Sequence, residues 1–144
     1  MRVVIATVQV LGIRGGAEVL AEGLRDALLA AGHSAELVAI PFKGYPAERI
    51  LDQMLACRLL DITEGGEGPV DRVIALKFPA YYVQHPNKVL WLLHQHRTAY
   101  DLWGHPYGDL SQTPGGAQVR DSIIQADHRL LPEARAIYTI AANV

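Results

Sequence analysis

The chain alternates short unbroken apolar runs with segments in which apolar residues recur every three or four positions. Arg2-Val3-Val4-Ile5-Ala6-Thr7-Val8 is apolar and β-branched, the pattern of a buried strand. Gly12, Gly15 and Gly16 break that run. Leu20, Leu24, Ala27, Leu28 and Ala31 then repeat at helical spacing, with Glu18, Glu22, Arg25 and Asp26 on the other faces. Gly32 can take the left-handed conformation that ends such a helix. A second strand is predicted over residues 35–40, where Glu36 is the only charge and Pro41 the stop.

Further along, Ile50, Met54 and Cys57 line one row of a helix predicted over 47–60, and Leu51, Leu55 and Leu59 the adjacent row. Residues 65–69 read as a loop. Val73-Ile74-Ala75-Leu76 is a third strand, ended by Pro79, and residues 88–93 are a fourth. Residues 94–115 are rich in His, Gly, Pro and Tyr, which marks a long functional or mobile loop with one helical turn near 98–103. A helix over 117–131 and a strand over 136–140 complete the pattern. Strands alternating with helices define an α/β fold with a mainly parallel sheet. Right-handed crossovers close it as a Rossmann-like three-layer sandwich over residues 1–144. The last strand stops just short of Val144, where a doubly wound domain usually continues into another helix, so a cut through a larger architecture is expected.

Composition narrows the class. Half of the 144 residues are apolar and 19% are charged, which excludes a disordered chain. The net charge of −2 argues against a general nucleic-acid or anionic-membrane binder. Cys57 is the lone cysteine, so an internal disulfide and a Cys-rich zinc site are both excluded. Its place in an apolar row predicts a buried thiol, with a reactive thiol as the alternative, and the usage is in keeping with a reducing cytoplasm. No run approaches the ~18 apolar residues of a transmembrane helix, and with a strand predicted to start at Arg2 no signal peptide is expected.

Candidate chemistry begins in the first loop. Arg14-Gly15-Gly16-Ala17-Glu18 would let a ligand approach the backbone closely, with free N–H groups at the helix start facing an anion. The same residues would also serve as a plain strand-to-helix turn. A dinucleotide site is disfavoured: Gly12-x-x-Gly15-Gly16 is not the G-x-G-x-x-G pattern, and the second strand ends Val38-Ala39-Ile40-Pro41 without an acid at its tip. No Gly-Lys-Ser/Thr is present, which excludes a P-loop nucleotidase, and no Gly-x-Ser-x-Gly elbow supports a hydrolase.

The strand, the loop ending Gly15-Gly16-Ala17-Glu18, the amphipathic helix, and Ala31-Gly32-His33 leading into Glu36-Leu37-Val38 resemble the amino-terminal domain of the GT-B glycosyltransferases, specifically the large retaining family four. Ile137-Tyr138-Thr139-Ile140 followed by Asn143-Val144 is similar to that family's strand before the domain crossover. The resemblance spans the chain but only half of such an enzyme. The sequence departs from the family in having Leu11-Gly12-Ile13 where many members carry a Pro, and Ala141 where many carry a Ser. The resemblance implies a nucleotide-sugar donor touched by Gly15 and Gly16, a glycosyl acceptor, no cofactor or metal, and a carboxyl-terminal donor domain absent from this chain. It also implies that the isolated chain is inactive and that its cleft face is exposed, partly apolar and open to self-association.

Leu90-Trp91-Leu92-Leu93-His94-Gln95-His96-Arg97 runs from an apolar strand, whose Trp91 and Leu92 are expected in the core, into polar groups at its carboxyl end. In open α/β sheets that end faces the ligand crevice. His94 matches the family's histidine beside the transferred sugar, which implies that it hydrogen-bonds the sugar or steadies charge in an oxocarbenium-like transition state. Alternatively His94 is structural, or binds metal with His96 and either His105 or Asp101. Arg97 is either a surface guanidinium or a fork for a phosphate or acceptor carboxylate. Tyr100, Asp101, Trp103, His105, Tyr107 and Asp109 combine aromatic faces with carboxylates and suit a sugar, though Trp103 could instead anchor the loop. Lys77 lies at the same edge, facing either the cleft or solvent, and Phe42-Lys43-Gly44-Tyr45 poses the same question. The alternative to a transferase half is a stand-alone Rossmann-like module for a phosphate-bearing ligand or partner protein, or one subunit of a split transferase.

Overall fold

The computed structural model describes residues 1–142, so Asn143 and Val144, part of the resemblance at the chain end, lie outside the described residues. The chain runs β1 (Arg2–Gln9), α1 (Gly16–Ala30), β2 (Ser34–Pro41), α2 (Arg49–Leu59), β3 (Glu64–Gly65), β4 (Gly68–Pro69), β5 (Arg72–Lys77), β6 (Lys88–His94), α3 (Gly116–Leu130) and β7 (Ile137–Thr139). Five strands form one sheet in the order β2-β1-β5-β6-β7, and every pairing in it is parallel. The fold is the expected α/β three-layer sandwich. The segment 65–69, read as a plain loop, folds into the small antiparallel hairpin β3–β4.

Pleat alternation sends the two faces of β1 into different layers. Val4, Ala6 and Val8 pack with Ile50, Met54 and Cys57 of α2 and Val119 and Ile123 of α3. Ile5 packs with Ala21 of α1, Leu76 and Leu93, joined by half-buried Leu20, Leu24 and Leu28. Gly32, at φ +83°, ends α1 as expected. Of the two rows on α2, Ile50, Met54 and Cys57 are buried, whereas Leu55 and Leu59 face solvent. Burial pushes the Cys57 thiol up to about 11, so it is an inert core group. Leu92 lies in the core, but Trp91 is only half-buried, on the α1 side of the sheet. There α1 covers the middle of the sheet, and Tyr138 of β7 stays 62% exposed.

The segment after β6 is packed rather than loose. It contains short 3-10 turns at Arg97–Ala99 and Leu110–Gln112, with Ala99 and Leu110 buried. The turn near 98–103 is therefore 3-10 at its start. Close approach fixes two glycines: a Cβ on Gly108 would lie 1.9 Å from the Leu102 carbonyl oxygen, and one on Gly116 would lie 1.8 Å from that of Leu110. No helix among the described residues is long and apolar enough to cross a membrane.

Candidate functional site

β1 and β5 are neighbours, yet the chain leaves them toward opposite edges of the sheet, β1 toward β2 and β5 toward β6. A parallel sheet opens a crevice beyond the carboxyl ends of its strands at such a switch point. The loop after β1 ends at Gly15, the residue before α1, in extended backbone. On β5, Lys77 closes the strand, and its register partner on β6 is His94. Gly15, Gly16, Lys77 and His94 therefore converge on one edge from three strands.

Glu18 organises that edge. Its carboxylate accepts the Gly15 N–H at 2.7 Å and pairs with Lys77 Nζ at 3.0 Å. Both side chains of the pair are nearly buried. Burial works to raise the Glu18 carboxyl, but the Gly15 N–H and Lys77 outweigh it and hold it below the usual carboxylate range. Lys77 thus faces α1 rather than solvent. The next N–H groups, on Gly16 and Ala17, belong to the first turn of α1, where an α-helix offers no internal acceptor. Neither glycine is required by its surroundings. A Cβ on Gly16 would meet nothing within 4 Å, and one on Gly15 only the Glu18 carboxylate at 3.6 Å. The space over this turn is open.

His94 is exposed, and its Nδ1–H donates to the Gln95 carbonyl at 2.7 Å. In the neutral ring that bond selects the Nδ1–H tautomer, with Nε2 left as the acceptor. His96 behaves differently. Its ring packs on Phe78 at 4.7 Å and against Phe42, and its Nε2 lies 3.0 Å from the Thr98 hydroxyl. Burial pushes it down to about 4, with Asp109 opposing weakly, so it stays neutral at pH 7. The two histidines face different surroundings, and no group of three His, Cys, Asp or Glu among the described residues could hold a metal.

The other residues expected at a sugar differ in what they touch. Arg97 directs Nε and Nη2 onto Asp101 at 3.0 and 2.7 Å, an exposed pair one helical turn apart. Tyr100 donates its hydroxyl to Asp127 at 2.6 Å. Trp103 packs against the core with the Arg120 guanidinium over its ring at 4.7 Å, which is the anchoring role. Tyr107 is exposed and stacks loosely with His105. Lys43 lies over the Tyr45 ring at 4.3 Å.

Asp127 is a residue the sequence reading did not single out. It is 1% exposed and accepts three phenol hydroxyls, from Tyr81 at 2.9 Å, Tyr82 at 2.6 Å and Tyr100 at 2.6 Å. Burial and the Asp127 charge raise all three phenols far above their ordinary range. The legible signal was a charge on an apolar stripe, since Val119, Ile123 and Asp127 repeat every four residues on α3. Compared with known proteins, the chain matches no family model, no curated protein and no solved structure.

Proposed function

We propose that this chain is the amino-terminal, acceptor-side half of a retaining GT-B glycosyltransferase. One observation carries the reading: the switch point between β1 and β5 gathers Gly15, Gly16, Lys77 and His94 at one edge. A donor diphosphate would approach the bare Gly16 and Ala17 N–H groups at the positive end of α1. The Nε2 of His94 would accept a sugar hydroxyl or, once protonated, face developing negative charge on the leaving phosphate. Arg97, Tyr100, Asp101 and Trp103 would shape the rim through the contacts they already make, not as free ligands. A cytoplasmic setting is part of the same reading.

Titration of the isotope-labelled chain with a nucleoside-diphosphate sugar tests this. At millimolar donor, the Gly15, Gly16 and Ala17 amides and the His94 ring signals should shift, with no product formed. Signals that stay put would overturn the reading. Turnover by the chain alone would show a complete catalyst, not a half.

A second reading, one subunit of a split transferase, draws on the α1-side sheet face. Trp91 is half-buried there and Tyr138 largely exposed, an apolar surface suited to a second domain or copy. Turnover that appears only when the chain is mixed with a separately made donor-binding chain would favour it.

A further inference from the structure

The turn after β1 presents apolar side chains to water on a rigid support. Ile13 N–H donates to the Val10 carbonyl at 3.1 Å, and Gly12 supplies the left-handed residue at φ +78°. From beneath, the Gln9 amide donates to the Val10 carbonyl at 2.9 Å and also to that of Ile13. Three hydrogen bonds thus hold one turn, and its tip carries Leu11, 79% exposed, and Ile13, 60% exposed. A flexible loop could fold such side chains back; a braced turn holds them out. The turn leads directly into Gly15 and the crevice.

We propose that Leu11 and Ile13 grip the apolar part of the acceptor, which makes the acceptor an amphiphile with an alkyl or comparably apolar chain. The inference rests on the transferase reading of this edge. Two features choose this occupant. The turn and its neighbour Val19 offer a few hundred Å² at most, well short of the ~800 Å² per partner of a stable protein interface. The charged groups of the loop and of the first two turns of α1 are already paired, Arg14 with Glu22 and Glu18 with Lys77, so this segment offers little net charge to an anionic surface. An uncharged chain lying over the turn fits both.

Hexyl, octyl and decyl β-glucosides, kept below their micelle concentrations, provide the test. Affinity for the wild-type chain should rise about twofold per added methylene, as for a half-buried CH₂. The Leu11→Ser/Ile13→Ser variant, altered only at exposed positions, should keep its melting temperature and show a flat series. A flat wild-type series, or a graded series that the variant leaves intact, would overturn the proposal. So would binding to phosphatidylcholine vesicles without binding to monomeric glucosides, which would mark a bilayer contact. A flat series with the donor-induced amide shifts present would refute the apolar acceptor alone. A graded series without those shifts would instead refute the transferase reading.

Discussion

Lys77 and Glu18 meet 3.0 Å apart across the switch point, tying the end of β5 to the first turn of α1. Their side chains are only 14% and 13% exposed, so each depends on the other for compensation. Lys77→Met should lower the unfolding free energy by about 1–3 kcal/mol, because it leaves a nearly buried carboxylate with backbone donors alone. Adding Glu18→Gln should recover much of that loss, since the neutral amide needs no counter-charge. Urea denaturation of the two single variants and the double variant gives the coupling directly. Additive losses would show that the pair is not coupled.

Gly16→Val separates folding from binding at the helix start. The new side chain would meet no protein atom within 4 Å, so the melting temperature should change by only a few degrees. The same side chain would stand over the open N–H groups that the proposed donor approaches. Affinity for a nucleoside-diphosphate sugar should fall about tenfold or more, equivalent to about 1.4 kcal/mol. An unchanged affinity in the folded variant would reduce this glycine pair to a turn.

His94→Ala tests the other side of the crevice. The side chain is exposed and bonded only to the neighbouring Gln95 carbonyl, so folding should be indifferent to its loss. In a transferase containing this chain with a donor-binding domain, turnover should fall on the order of 10²-fold if the ring steadies the transition state. Steady-state assay on the folded variant decides it, and a normal rate would remove His94 from the mechanism.

Local pattern made the layers of this fold legible. The β-branched run 3–8 has two buried faces, and the Leu20/Leu24/Leu28 stripe seats α1, so their period alone located them. The site was half-legible for the same reason. Gly15, Lys77 and His94 could each be placed at a strand end, but which ends adjoin depends on strand order, which no local period encodes. Side-chain commitments were the least legible. Tyr100 and Trp103 could be read from sequence as either sugar-facing or, for Trp103, as a loop anchor, because aromatic residues in a polar loop carry no mark of what they touch. Their partners, Asp127 and Arg120, lie on a helix far along the chain.

That long-range partnership should be costly to break. Asp127→Ala would leave three buried or half-buried phenol hydroxyls without their acceptor and open a cavity, for a loss of about 3–5 kcal/mol. Tyr100→Phe removes one charge-assisted hydrogen bond and should cost about 1.5 kcal/mol. Beyond stability, Tyr100→Phe should increase amide exchange in the 97–103 segment, which Tyr100 fastens to α3. Hydrogen exchange followed by mass spectrometry reads both effects. Unchanged protection in that segment would mean that the Arg120 contact to the Ala99 carbonyl suffices to hold it.

His96 predicts a pH dependence with a definite sign. Its imidazole is held near 4 in the folded chain by burial against Phe78 and Phe42, whereas an unfolded histidine titrates near 6.5. Between those values the unfolded chain binds the extra proton, so stability falls as pH drops from about 6.5 toward 4 and is fully retained above that window. The difference of about 2.5 pH units corresponds to on the order of 2–3 kcal/mol across the window. Carboxylates such as Glu18, which burial alone would raise but the Gly15 N–H and Lys77 hold low, lose their own contribution at lower pH, so the wild-type curve alone mixes the two. His96→Phe keeps an aromatic ring against Phe78 and removes the titration, giving up only the contact to Thr98. The difference between the wild-type and variant stability curves should therefore slope between pH 6.5 and 4 and be level from pH 7 to 8. A level difference throughout would mean that the folded chain accommodates the imidazolium, and that the ring is less sheltered than its packing implies.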